Sequence, residues 1–131
     1  MATGLRPLQT ALFAKLNAVP ALAGRVYAVR PPESVPLPYV TLGSIFELPD
    51  DTHDAQGLNS MVTLHIWSKS TSNGEVYDLF AAVDAALDRV ALTVTGFSEV
   101  QIKHSQHQMI EDPDPSIRHI NAQYRIHMTK E

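Results

Sequence analysis

The sequence predicts an α+β domain: a largely antiparallel sheet with two main helices packed on one face, formed by residues 1–131 as a single domain. Three observations predict it. Val76, Leu79, Phe80, Val83, Ala86, Leu87 and Val90 line one stripe at helical spacing. Two long runs of alternating character, about 97–110 and 117–129, flank the turn sequence EDPDPS. The elements come in the order helix, strand pair, helix, strand pair, which places the helices together on one side of the sheet.

Each element has a local cause. Leu5, Leu8, Leu12 and Leu16 mark an amphipathic helix over 5–18, with Pro7 in its first turn and Pro20 near its end. A short helical turn and a brief strand at Val26–Ala28 follow. Pro31, Pro32, Pro36 and Pro38 make 31–38 an extended connector. YVTLGSIFEL (39–48) is rich in β-branched and aromatic residues and reads as a strand. The loop 49–59 carries Pro, Gly and three Asp, with almost nothing to bury. Residues 60–68 form the next strand, with Val62, Leu64 and Ile66 on one face and Met61, Thr63, His65 and Trp67 on the other, as expected of a central strand. Ser72 and Glu75 have the spacing of a capping box that opens a helix over 73–90. Its stripe should bury Leu79, Phe80 and Val83 against Val62, Leu64 and Ile66.

The totals remove several function classes. The 131 residues include 10 basic and 14 acidic side chains, a net charge of −4, and no basic run. An electrostatic grip on nucleic acid needs clustered Lys and Arg. With no cysteine, disulfides, thiolate nucleophiles and Cys-based zinc sites are excluded. The N-terminus lacks the charged start and apolar block of a signal peptide, and no stretch approaches the ~18 apolar residues of a membrane span. The composition is that expected of a soluble protein made in a cytoplasm.

The segment IEDPDPSIRHINAQYRIHM (110–128) concentrates histidines and carboxylates and invites a catalytic or metal reading. Pairing the last two strands around their turn sets Ile102 against Ile126, Val100 against Met128 and His104 against Tyr124 on an apolar face. Lys103, Ser105 and His107 then face Arg125, Gln123 and Asn121 on a polar one, and a one-residue slip would mix the two. On this register His104 and His107 point to opposite faces, while His119 and His127 lie ~26 Å apart at ~3.3 Å per residue. Only His107 and His119 approach each other, near Asp112 and Asp114, and zinc needs at least three fixed protein ligands. Ser44 sits in no nucleophile elbow. The six glycines form no phosphate loop, and DDTHD (50–54) lacks the spaced ligands of a calcium loop. Trp67 and Tyr77 read as packing residues, since no basic groove accompanies them. No catalytic, cofactor or metal site is expected.

The ordered segments LQTALFAKLNAVPALAGRVYAVRPP, PYVTLGS, LHIWSKSTSNGEVYDLFAAVDAALD and EDPDPSIRHINAQYRI together resemble the small tail-completion, or tail-terminator, proteins of long-tailed bacteriophages, related prophages and gene transfer agents. Pro115 stands where relatives tend to carry glycine. The resemblance implies a virion protein, assembled in the bacterial host cytoplasm, that forms a ring of usually six copies. Such a ring caps the tail tube at its head-proximal end, stops tube polymerisation and offers a docking surface to the head-side connector. The implied partners are further copies of the chain, the tail tube protein and the connector, with DNA passing the lumen without sequence-specific binding and no membrane involved. No catalytic residue or cofactor is implied. Another head-tail neck component stays open, as do a small ligand-binding module and a metal-dependent α+β enzyme. With helices over one sheet face, ring contacts fall to the outward polar face, including Lys103, Gln123 and Arg125, and to the acidic loop with Asp50, Asp51 and Asp54. That loop is expected to be mobile in a free subunit. Arg125 is the expected anchor, because its planar fork suits a neighbour's carboxylate.

Overall fold

A computed structural model describes residues 3–29, 31–32, 34–70 and 72–131. Along the chain run helix α1 (Leu5–Asn17), strands β1 (Val26–Tyr27), β2 (Tyr39–Pro49) and β3 (Gly57–Lys69), helix α2 (Gly74–Leu87), and strands β4 (Phe97–Glu111) and β5 (Ile117–Lys130). A 3-10 turn at Pro20–Leu22 links α1 to β1. Of the proline-rich connector, Glu33 lies outside the described residues. The strands form one sheet in the order β1-β2-β3-β5-β4, antiparallel throughout except for the β1–β2 pair. The α+β class and the helix-on-sheet arrangement are as the sequence predicts.

The core lies between the sheet and the two helices. Leu8, Leu12 and Leu16 of α1 and Val76, Leu79, Val83 and Leu87 of α2 are buried together with Val62, Leu64 and Ile66 of β3 and Ile120, Ala122, Tyr124, Ile126 and Met128 of β5. Each large member of that set contributes roughly 1.5–3 kcal/mol by leaving water. Tyr124 is the largest, and its hydroxyl donates to Asp84 of α2 at 2.9 Å. Burial first, and the Asp84 carboxylate second, push its phenol pKa upward. The polar tip of this aromatic is therefore satisfied where it meets the helix.

Four local expectations change. Phe80 is only partly buried and does not face the central strand: its ring lies 4.5 Å from that of His107 and 6.2 Å from that of His104. The Ser72–Glu75 capping box does not form. Asn73 is the N-cap without a side-chain cap, and Glu75 instead accepts a hydrogen bond from Ser68 of β3, pinning the first turn to the sheet. The helix stops at Leu87, short of Val90. Asp88 and Arg89 leave it to meet β4, with the Arg89 amide donating to the Ile102 carbonyl at 2.9 Å and Arg89 at φ 58°. Finally, β3 starts at Gly57, so the acidic loop shrinks to residues 50–56. A Cβ at position 57 would collide with the backbone carbonyl of Asp50, which is why the strand can begin that early only on glycine.

The β4–β5 register is the expected one only in its centre, where Ile102, Lys103 and His104 face Ile126, Arg125 and Tyr124. Irregularities between Ser98 and Gln101 and between His104 and Gln106 shift it at both ends, with Glu99 at φ 52° inside the first. Val100 therefore does not face Met128. Beyond the second, Gln106 faces Gln123 and His107 faces Ala122, in place of the expected Ser105–Gln123 and His107–Asn121 pairs. One extra residue turns the following side chains onto the other face. The turn after β4 is built by aspartates: Asp112 accepts from the Asp114 amide, and Asp114 from both the amide and hydroxyl of Ser116. Those bonds from Ser116 hold the Asp114 carboxyl below its usual pKa. Pro115 fits a turn shaped by Asp side chains and requires no glycine there.

Candidate assembly surface

Because both helices lie on one side, the outward face of the sheet has no helical layer over it. Its register builds one row across four strands: Phe46 of β2 opposes Met61 of β3, which opposes Arg125 of β5, which opposes Lys103 of β4. The row is apolar at one end and basic at the other. Phe46 is 61% exposed, and Leu48, in the next row, 52%. With Asn59, Ser60, Met61 and Arg125 they line a groove of about 300 Å³. Lys103 and Arg125, both exposed, stand directly opposite each other, an arrangement that repels and so favours an acidic partner.

The six residues expected at the interface are thus distributed on one face and one loop. Lys103 and Arg125 meet as a cross-strand pair. Gln123 is taken up within the chain, its amide oxygen accepting from Gln106 at 2.7 Å. Asp50 pairs with His127 at 3.1 Å, and Asp51 accepts from the Gly57 amide at 3.1 Å. Asp54 accepts from the Thr52 hydroxyl, and the loop is further closed by backbone bonds from Asp50 to Gly57 and from Lys130 to Gln56. Local hydrogen bonds therefore organise a loop whose composition alone offers little to order it. Phe46 and Leu48 were missed by sequence reasoning, which placed Met61 on this face of β3 but took it for a covered residue of a central strand. Their signal is that β2 has large apolar residues at both parities, Ile45 and Phe46 in succession, more than one buried face can use.

Four of the six histidines fall into two pairs, neither of them expected. His104 and His107 share a face, with Nε2 and Nδ1 2.8 Å apart, because the irregularity between His104 and Gln106 cancels the alternation that would separate them. His119 stands on the opposite face of the sheet from His107, whose cross-strand partner is Ala122. It joins His65 on the outward face, Nε2 to Nδ1 at 2.8 Å, with the Trp67 ring stacked on it at 3.7 Å. No group of three or more metal-binding side chains occurs among the described residues.

The His65 site carries a pH dependence. Burial lowers its pKa from 6.5. Above that value the ring is neutral in both folded and unfolded chains. As the pH falls below it, the unfolded chain takes up the proton first, so stability declines with falling pH until the folded ring also titrates. The melting temperature is therefore expected to drop between pH 7.5 and pH 5.5, and His65→Gln should flatten that slope in thermal scans.

A match to the family described as Tail completion protein gp17 spans residues 10–129. The chain belongs to that family. Among its tail completion relatives, the tail completion protein gp17 of Bacillus phage SPP1 is 31% identical over 116 residues, covering 87% of this chain and 86% of that protein. The fold also matches a chain in the virion of a native gene transfer agent particle, with a TM-score of 0.88 and 20% identity, covering 98% of this chain and 99% of the other. As a tail completion protein, this chain is a structural component of the virion.

Proposed function

We propose that this tail completion protein closes into a ring of six copies on the head-proximal end of the tail tube, ends tube polymerisation, and presents a docking surface to the head-side connector. The observation that carries the reading is the row Phe46–Met61–Arg125–Lys103, exposed at Phe46, Arg125 and Lys103 and half-buried at Met61, on a sheet face without helices. Contiguous exposed apolar side chains rimmed by charge mark association surfaces. A stable interface buries about 800 Å² per partner, which a strand face and a loop together supply. Head-to-tail contacts of one kind close into a ring when their rotation closes. Arg125 is the anchor, with Asp51 or Asp54 of a neighbouring copy as its acceptor, since Asp50 is already paired with His127. The net charge of −4 suits a lumen that DNA crosses without adhering.

Deleting the gene from its phage or element and imaging the particles tests this. The expected result is tails of abnormal length and heads without tails. Tails of normal length that never join heads would move the assignment to another neck component, and normal infectious particles would refute both.

A further inference from the structure

The sheet has two unlike open edges, and they are complementary. On one side, β4 is an edge strand of 15 residues. The turn after α2 closes only part of its outer side: Ile102 accepts from the Arg89 amide, and the His104 amide donates to Asp88 at 2.7 Å. In an antiparallel ladder, backbone groups alternate between facing the partner strand and facing away. Because those of Ile102 and His104 face away from β5, those of His107, Met109 and Glu111 do so as well, once the extra residue between His104 and Gln106 is counted. None of the three has a backbone partner on that side among the described residues. The stretch Gln106–Glu111 contains no proline and no lysine, the residues that commonly blunt a free edge.

On the other side, β1 covers β2 only at Val40 and Thr41. The same alternation turns the backbone N–H and C=O of Ile45 and Glu47 outward, together with the carbonyl of Pro49, which has no N–H and ends the open stretch. Both open stretches carry uncovered apolar side chains: Phe46 and Leu48 on β2, and Met109, 39% exposed, on β4.

We infer that the outer edge of β4, His107–Glu111, pairs with the outer edge of β2, Ile45–Pro49, of a second copy of this chain; this rests on the ring reading above and specifies its contact. Strand direction supports the choice. Counting across β2, β3, β5 and β4, three successive antiparallel pairs leave β4 antiparallel to β2. A rotation about an axis along the strands preserves direction, so β4 meets the next copy's β2 antiparallel and the sheet continues in the sense it already has. A two-fold β4–β4 contact would instead stop at a dimer and leave every β2 edge open. Overlaying the two open stretches end to end puts Ile110 against Phe46 and Gln108 against Leu48 on the outward face. Met109 meets Glu47 on the helix side.

The absence of cysteine makes the test clean. Purified tails carrying Phe46→Cys with Ile110→Cys are oxidised and run without reductant; Phe46→Cys with Gln108→Cys covers a two-residue slip. The expected result is a covalent ladder extending beyond the dimer from one double variant, and monomer from each single variant. In parallel, Met109→Pro, which removes an amide facing away from β5, should leave the isolated chain's melting temperature nearly unchanged and lower its incorporation into tails at least about tenfold. The pairing is overturned if neither double variant gives a ladder in tails that contain it, if Ile110→Cys alone gives dimers, or if Met109→Pro incorporates normally. Wild-type chain missing from purified tails would overturn the ring reading and the pairing with it.

Discussion

Replacing Leu64 with alanine is expected to cost about 2–5 kcal/mol, the range for deleting a fully enclosed leucine side chain. Leu64 is completely buried in the middle strand, between Leu42 of β2 and Ala122 of β5, beneath the helices. Neighbours on both sides are fixed in ladders, so the sheet has little freedom to collapse into the void. With an unfolding entropy near 2.1 cal/mol/K per residue, the melting temperature should fall by roughly 7–18 °C. Phe80→Ala is the internal comparison. Its ring rests on two histidines at the margin of the core, so its loss should cost about half as much or less. Thermal melts of the two variants decide the matter: equal losses would show that α2 packs differently from the arrangement described here.

Arg125→Glu is expected to abolish assembly while leaving the subunit folded. The side chain is exposed and makes no ion pair among those found between described residues, so its reversal should change stability by no more than about 0.5 kcal/mol. The effect at an interface is larger. A neighbour's carboxylate would lose its partner and meet a like charge, a combination that costs 2–5 kcal/mol or more when the pair is buried. Complementation of a deletion strain with Arg125→Glu should give tails of abnormal length or tails without heads, with a folded subunit by circular dichroism. Normal particles would show that the anchor lies elsewhere on the outward face, and the nearby Phe46 and Leu48 would be the next residues to change.

The parts of this fold legible in the sequence are those where one face is apolar and the other polar. In β5, Ile120, Ala122, Tyr124, Ile126 and Met128 alternate with His119, Asn121, Gln123, Arg125 and His127, and the strand follows that pattern without a break. The register against β4 was legible only at Ile102–His104. Further along, Ser105, Gln106, His107 and Gln108 are polar at both parities, so alternation says nothing about an inserted residue, and the His104–His107 pairing went unseen as a result; the His65–His119 pairing lies across β3 and β5, a long-range seam that local alternation does not specify. The end of α2 was obscured for the converse reason. Val90 keeps the helical spacing, but the chain leaves the helix to bond with Ile102, a residue of a strand not yet formed when the pattern is read locally. At the candidate surface, Lys103 and Arg125 were legible as polar-face residues. The apolar half of the row was not, because two-faced hydrophobicity in β2 looks the same whether a second layer covers the strand or a partner does.

The sheet order also fixes how the chain must find its structure. Strands β2 and β3 are joined through residues 50–56, and β4 and β5 through residues 112–116, so each pair is a hairpin whose ends meet after a short search. The seam between β3 and β5 is different: Met61 must find Arg125 across the length of α2 and all of β4. Loop-closure entropy makes such distant pairings the slow ones. The two hairpins are therefore expected to form first and the central seam, which the helices cover, last, an order that pulse-labelled amide exchange during refolding would read.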